Sequence, residues 1–496
     1  MIQNDVPESV KTLLKQNFGL LINGTISASA SGETFQSFCP SDDSLLANVP
    51  AASSQDVDAA VASAQAAFKG WAETPLVERQ KMLLEISRMM ISASDDLGAL
   101  DALDTGSLFS TMQYDAAWGG SVIEYMCGSA NEVKGEVTQF DRNLHYTKRV
   151  PFGVAAKLLP FNRPIQSLVA GFAAPLLMGN CLILKASPYT PLSALAFGRM
   201  IKDILPPGVV SVLTGTNDQV STPIITHPGI TRLALTGSVA AGRAVSALAA
   251  QNLKSVSMEL GGKNPLVIFP DADPELAADI AIAGMNFAAQ SQSCSSTSRI
   301  LVHKDLKAEF LDVLVKKVSK LKLGFAMDSS ANVGAMTDTA LLERVLGYID
   351  AGQREGAQLL IGGTRPDDTD FARGNFVTPA VFCDVKPNMT IAREEIFGPV
   401  ISVMDWDNYD DMIAVANDTK FGLTAVIVTN DLHLAHTAAD DLQAGYVEVN
   451  SPVSYAHGSP YGGVKQSGNG RDGSIEELLS YTQIKSINVN FKRTVK

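Results

Sequence analysis

After a first stretch of about fifty residues that reads as loop-rich, apolar positions fall into two rhythms. Val57, Val61, Ala64 and Phe68 recur three or four apart and predict an amphipathic helix over 56–71, with a second over 76–93. From about residue 150 the texture changes to short apolar runs alternating with helical stretches. VAAKLL (154–159) leads into a helix over 165–178, CLILKA (181–186) into a helix over 191–205, and GVVSVL (208–213) is followed by RLALT (232–236) and a helix over 240–251. Strands and helices in strict alternation, joined by short connections such as LPPG (205–208), predict a mostly parallel sheet covered by helices on both faces.

A second alternating series follows Gly261-Gly262, which marks a boundary. It runs through PLVIF (265–269), a helix over 274–289, RILVH (299–303), a helix over 307–321, a polar loop at 362–370, and the strands VISVM (400–404) and AVIVT (425–429). The fold class is α/β. Segments 140–150 and 484–491 are strand-like yet belong to neither series. They are expected to pair with each other and leave an edge that a second subunit completes. No internal repeat or low-complexity tract is evident.

A chain of 496 residues calls for two or three domains, and 46% apolar with 18% charged residues is ordinary globular usage. The formal charge of −13 repels nucleic-acid phosphate and anionic membrane surfaces, so a small-molecule ligand is expected and neither nucleic acid nor membrane is. The N-terminal segment lacks the basic and apolar regions of a signal peptide, and the most apolar stretch, 167–184, is interrupted by Gly171, Pro175, Gly179 and Asn180. The expectation is a cytoplasmic protein. Five scattered cysteines with no C-x-x-C pair fit a reducing compartment. The one close histidine pair, His433 and His436, reads as solvated surface, and no metal is expected.

Four features bear on chemistry, each with a plainer reading beside it. Cys294, in QSQSCSSTSR, sits among polar residues between an apolar helix and a strand. There a thiol is reachable and backbone N–H groups can favour its thiolate; lone cysteines are otherwise small buried apolar residues, as suits Cys181, Cys127 and Cys383. Glu259 ends a strand before two glycines and is either a cleft-facing general base or a solvated strand-end carboxylate. Thr236-Gly237-Ser238 opens a helix after a strand and is either a phosphate site, with Gly237 and Gly242 permitting close approach, or only an N-cap. Asn162, in LPFNRP, is either an oxyanion donor or a turn residue.

Taken in order, these segments resemble the aldehyde dehydrogenase superfamily from about Ile22 to Lys485. The most specific parts are MELGGKNP, containing Glu259, and FAAQSQSC, ending at Cys294; supporting segments are PPGVVSVLTG, LTGS, EEIFGPV, AGYVEVN and SPYGGVKQSGNGR. The resemblance implies a Rossmann-type cofactor domain (1–130 and 152–261), an α/β catalytic domain (262–476) and a small β oligomerisation element (131–151 and 477–496), assembled as a homodimer or homotetramer. It implies NAD(P)-dependent oxidation of an aldehyde to a carboxylic acid, with Cys294 as nucleophile, Glu259 as general base and Asn162 in the oxyanion hole. NAD or NADP would be held by Lys185, Ser187, Thr236, Gly237, Ser238, Leu260, Glu395 and Phe397. Phe161, Arg163, Ser167, Ser293, Ser295 and Tyr455 would line the aldehyde pocket.

Several positions depart from the family pattern. Pro188 stands where a ribose-binding glutamate is common, Phe161 replaces a tryptophan, Gly171 a lysine, Ser291 a glycine and Arg163 a phenylalanine. The first leaves NADP open. Arg163 either pairs with an anionic substrate tail or points to solvent or an internal acid. A CoA-acylating relative, or an inactive protein keeping the fold, is the alternative; the retained Glu259 argues against the former and the full set of reacting groups against the latter.

Overall fold

The computed structural model describes residues 6–140 and 143–491. Positions 1–5, 141–142 and 492–496, which the sequence-based domain limits include, lie outside the described residues. Two seven-stranded sheets organise the molecule. In the first, the spatial order is Ser255–Glu259, Arg232–Thr236, Val154–Leu158, Cys181–Ala186 and Val210–Thr214, all parallel, with the short strands Leu20–Ile22 and Thr25–Ser27 added antiparallel at one edge. In the second, Ala380–Cys383, Val400–Trp406, Arg299–His303, Pro265–Ile268, Thr424–Val428 and Tyr446–Val449 run parallel, and Gln358–Ile361 closes one edge antiparallel.

The continuous apolar runs arise because both faces of each parallel sheet are covered. In the second sheet alternate residues feed two separate cores: Leu266, Ile268, Ile300 and Val302 on one face, Val267, Leu301, Ala425 and Ile427 on the other. The predicted helices appear as Ser54–Glu73 and Leu76–Ser92, the first entered through Asp56, whose carboxylate accepts the Ser53 N–H at 2.8 Å. The two strand-like segments outside both series do pair. Thr482–Val489 lies antiparallel to Asn143–Pro151, which also holds Val137–Phe140.

Three expectations need correction. The first fifty residues contain a helix, Glu8–Leu14, and four strands, Leu20–Ile22, Thr25–Ser27, Thr34–Phe38 and Leu45–Pro50. The first two strands are only three residues long, too short for an alternating pattern to emerge, although Asn23-Gly24, both at positive φ, form the two-residue hairpin turn joining them. The helix expected over 165–178 is two, Pro164–Val169 and Ala173–Leu177, broken around Gly171. The helix expected over 274–289 stops at Gly284, because Asn286 takes a left-handed conformation and only a 3-10 turn, Phe287–Ala289, follows.

Candidate active site

Strand order in the first sheet reverses between Val154–Leu158 and Arg232–Thr236, the place where an open α/β sheet leaves a crevice beyond its carboxyl ends. A cavity of about 550 Å³ occupies that crevice and extends to the later segments that carry Cys294, Glu395 and Tyr455. All of the candidate residues line it: Cys294, Glu259 and Asn162; Lys185, Ser187, Thr236, Gly237, Ser238, Leu260, Glu395 and Phe397; and Phe161, Arg163, Ser167, Ser293, Ser295 and Tyr455.

Cys294 arrives on a strained segment. Asn286, Gln290 and Ser291 all have φ between 51° and 57°, a region that costs an L-residue roughly 1–2 kcal/mol, so the surroundings must hold the loop. They do so through side-chain amides. Gln290 donates to the Gly106 carbonyl at 2.8 Å, and Gln292 accepts the Thr337 N–H at 3.0 Å. Asn162 donates to the Gln292 carbonyl at 2.7 Å. Asn264 donates to the Cys294 carbonyl at 2.7 Å and the Ser296 carbonyl at 3.0 Å. Ser293 and Ser295, flanking the thiol, bond each other through their hydroxyls at 3.0 Å. An asparagine amide carries two N–H groups. With one on Gln292, the Asn162 amide is fixed in orientation and its other N–H is left for a ligand oxygen. Burial pushes the Cys294 thiol up to about 11, with Glu395 and Glu259 adding to the effect, while Tyr461 and Arg163 oppose it. The Tyr461 hydroxyl lies 3.9 Å from Sγ.

Glu259 ends its strand buried, with neither carboxylate oxygen meeting a hydrogen-bond partner. Burial, then the charge of Asp472, pushes its carboxyl well above the usual range. The two glycines after it serve the site by close approach: a Cβ at Gly261 would overlap the Glu395 carboxylate, and one at Gly262 would come within 2.7 Å of the Cys294 carbonyl oxygen. The Gly262 N–H donates to Glu395 at 3.1 Å. Gly171 has a comparable reason. The space a side chain there would need is filled by Lys157, a buried strand residue whose Nζ lies 3.8 Å from Asp472. A cation therefore occupies this corner although position 171 supplies none.

The other arm of the cavity suits a dinucleotide. Burial brings Lys185 down to about 8, and no Asp or Glu lines the wall that it forms with Ser187, Pro188 and Tyr189. Ser238 caps the helix Val239–Ala250, its hydroxyl accepting the Ala241 N–H at 3.1 Å, beside Thr236 and Gly237 at the same N-terminus. Gly242 differs from its expected role: a Cβ there would strike Leu260, so it serves packing rather than phosphate approach. Phe397, at φ 60°, meets Phe161 edge-on at 5.8 Å.

For Arg163 the internal acid is the partner found. Its Nη1 donates to both oxygens of fully buried Asp115 at 2.7 and 2.8 Å, which leaves the anionic-tail reading without support. Sequence reasoning missed Asp115, Asn264, Tyr461 and Lys157. Asn264 and Tyr461 lay inside segments already singled out; Asp115 and Lys157 are unremarkable in a helix and a strand, and only the fold brings Lys157 to the cavity and Asp115 to Arg163 behind it. His433 and His436 are exposed on the helix Leu432–Asp441.

The chain matches the model of the Aldehyde dehydrogenase family over residues 26–487. It is similar to the NAD+ complex of an aldehyde dehydrogenase from Bacillus cereus, at 34% identity and a TM-score of 0.95 over 98% of this chain and 99% of that one. It is similar to betaine aldehyde dehydrogenase from Staphylococcus aureus in complex with NAD+, at 29% identity and a TM-score of 0.96 over 99% of each chain. HpcC from Thermus thermophilus aligns at 33% identity and a TM-score of 0.95, over 99% of this chain and 98% of that one.

Two outcomes follow from this geometry. Ser291→Gly relieves left-handed strain and removes a buried, unpaired hydroxyl, outweighing the added freedom of the unfolded chain, so thermal unfolding should show stabilisation of about 1 kcal/mol; a lowered melting temperature contradicts this. A carboxylate serves as a base only when ionised, so if Glu259 is the base, turnover should rise with pH along a limb well above the usual carboxylate range. Asp472→Asn removes a negative neighbour, stabilises the ionised form and should move that limb to lower pH in a kcat–pH profile; a move upward would refute the assignment.

Proposed function

The chain belongs to the aldehyde dehydrogenase family, and from that premise we propose that Cys294, Glu259 and Asn162 carry its NAD(P)-dependent oxidation of an aldehyde to a carboxylic acid. The observation that carries this reading is the single cavity into which all three open, with Asn162 and Cys294 tied through the Gln292 carbonyl.

Sγ of Cys294 gives its proton to solvent and bonds to the aldehyde carbon, moving the carbonyl electron pair onto oxygen. Tyr461 and Arg163 face the thiol and favour its ionised form against the burial that opposes it. The free N–H of Asn162 and the Cys294 backbone N–H hold the oxyanion of the thiohemiacetal. Bound NAD or NADP supplies the hydride acceptor. Collapse of the oxyanion breaks the C–H bond of the former aldehyde carbon, its hydride leaving to that acceptor, and leaves a thioester on Cys294. Glu259, whose raised pKa makes it a stronger base, takes a proton from water; the hydroxide adds to the thioester carbon, the S–C bond breaks, and the carboxylic acid departs. A buried carboxylate with no protein donor has its acceptor capacity free for that water.

Lys185 and Ser187 are assigned to the adenosine ribose, Thr236, Gly237 and Ser238 to phosphate, Leu260 to the wall, and Glu395 and Phe397 to the nicotinamide end. The change of sheet after Glu259 supports a cofactor domain of 1–130 and 152–261 followed by a catalytic domain of 262–476. The separate three-stranded sheet supports an oligomerisation element of 131–151 and 477–496. Its outer strand exposes Ile484 at 61% and its other edge Val137 at 72%, surface suited to burial against a second copy in a homodimer or homotetramer. No helix among the described residues is long and apolar enough to cross a membrane, and all five cysteines are free, which supports a cytoplasmic location.

Cys294→Ala should abolish reduction of the cofactor, and Asn162→Ala should lower kcat by about 10²- to 10³-fold while retaining acid as product. Equal small losses in both variants, or acyl-CoA as the only product when CoA is supplied, would overturn the assignment. With no carboxylate at Pro188 to repel a 2′-phosphate, NADP should bind within about tenfold of NAD by fluorescence titration; a much wider gap in favour of NAD contradicts this.

A further inference from the structure

One arm of the cavity runs from the thiol toward solvent along a series of rings. Tyr461, beside Sγ, meets Tyr455 at 4.5 Å between centroids, and Tyr455 meets Trp118 at 6.0 Å. His457 lies between Trp118 and Tyr125, stacked on both at 5.8 and 5.9 Å with interplanar angles of 29° and 18°. Trp118, Ser121 and Tyr125 share one face of the helix Phe109–Ser129, and the Ser121 hydroxyl lies 2.9 Å from His457 Nε2. The loop carrying Tyr455 and His457 is thus clamped to the helix, and the rings are held in place before any ligand arrives. Ser167 and Ala170, both small, also line the cavity and leave width beside this aromatic wall.

Charge in this arm is already balanced. Arg163 is engaged at short range by Asp115, so it is not free to neutralise a carboxylate tail, and the compensated pair presents no net charge to hold a quaternary ammonium. What remains is a rigid, ring-lined slot ending at a nucleophile. We propose that this arm selects aldehydes whose carbonyl is borne by an uncharged aromatic ring, with Trp118 and Tyr455 as the specificity-determining contacts. The proposal rests on Cys294 being the nucleophile of the aldehyde-oxidising site.

The test compares kcat/KM for benzaldehyde, hexanal, succinic semialdehyde and betaine aldehyde in the wild type, Trp118→Ala and Trp118→Phe. The benzaldehyde-to-hexanal ratio within one preparation cancels any loss of folded enzyme. It should fall about tenfold in Trp118→Ala and stay within about threefold of wild type in Trp118→Phe, as expected for loss and retention of a ring contact. An unchanged ratio in Trp118→Ala, or a wild-type preference for either charged aldehyde over benzaldehyde, overturns the aromatic selectivity while leaving Cys294 as nucleophile. Failure of every aldehyde to reduce NAD or NADP overturns the underlying reading, and the selectivity with it.

Discussion

The site depends on one turn, from Glu259 to Asn264, where the chain leaves the first sheet and enters the second. Within six residues it presents the carboxyl proposed as base, bonds Glu395 through the Gly262 N–H, and pins the backbone of Cys294 through Asn264. Gly261 and Gly262 are required because the Glu395 carboxylate and the Cys294 carbonyl come too close for any Cβ. Residues thirty-five apart in sequence, Glu259 and Cys294, therefore open into one cavity where this turn carries the chain from the first sheet to the second.

Burial sets the electrostatics of everything that turn gathers. Glu259, Glu395 and Cys294 all have raised pKa values with desolvation as the largest cause; neighbouring acids push the same way at Glu259 and Cys294, whereas at Glu395 the Gly262 N–H and the charges of Arg344, Lys263 and Lys420 oppose it. Arg471 and Lys157 oppose it at Glu259 and Arg163 opposes it at Cys294, with Lys157 and Arg163 each tied to its own acid, Asp472 and Asp115. The Arg163–Asp115 pair is thus compensated before a ligand enters, in keeping with the preference for a neutral ring proposed for the Tyr455–Trp118 arm.

Much of this was legible in the sequence. Parallel strands buried on both faces appear as unbroken apolar runs, and the segments around Glu259 and Cys294 carry motif-level information that placed both in one cavity. What escaped was set by tertiary contact. Lys157 reads as an odd polar residue in VAAKLL and becomes meaningful only when Gly171 yields it space. The helix break there, and the left-handed residues that end the helix before Cys294, come from surroundings that override local helical preference. The Arg163–Asp115 pair joins residues forty-eight apart, a contact no local pattern reports.

The central claim is that thiol and carboxyl act in sequence on one carbonyl carbon. Mixing Glu259→Gln protein with NAD and benzaldehyde, quenching in acid and mapping peptides by mass spectrometry tests it directly. A benzoyl group on the peptide containing Cys294, accumulating in step with one equivalent of NADH per site, is the predicted result. An unmodified Cys294 peptide alongside sustained wild-type turnover would contradict it.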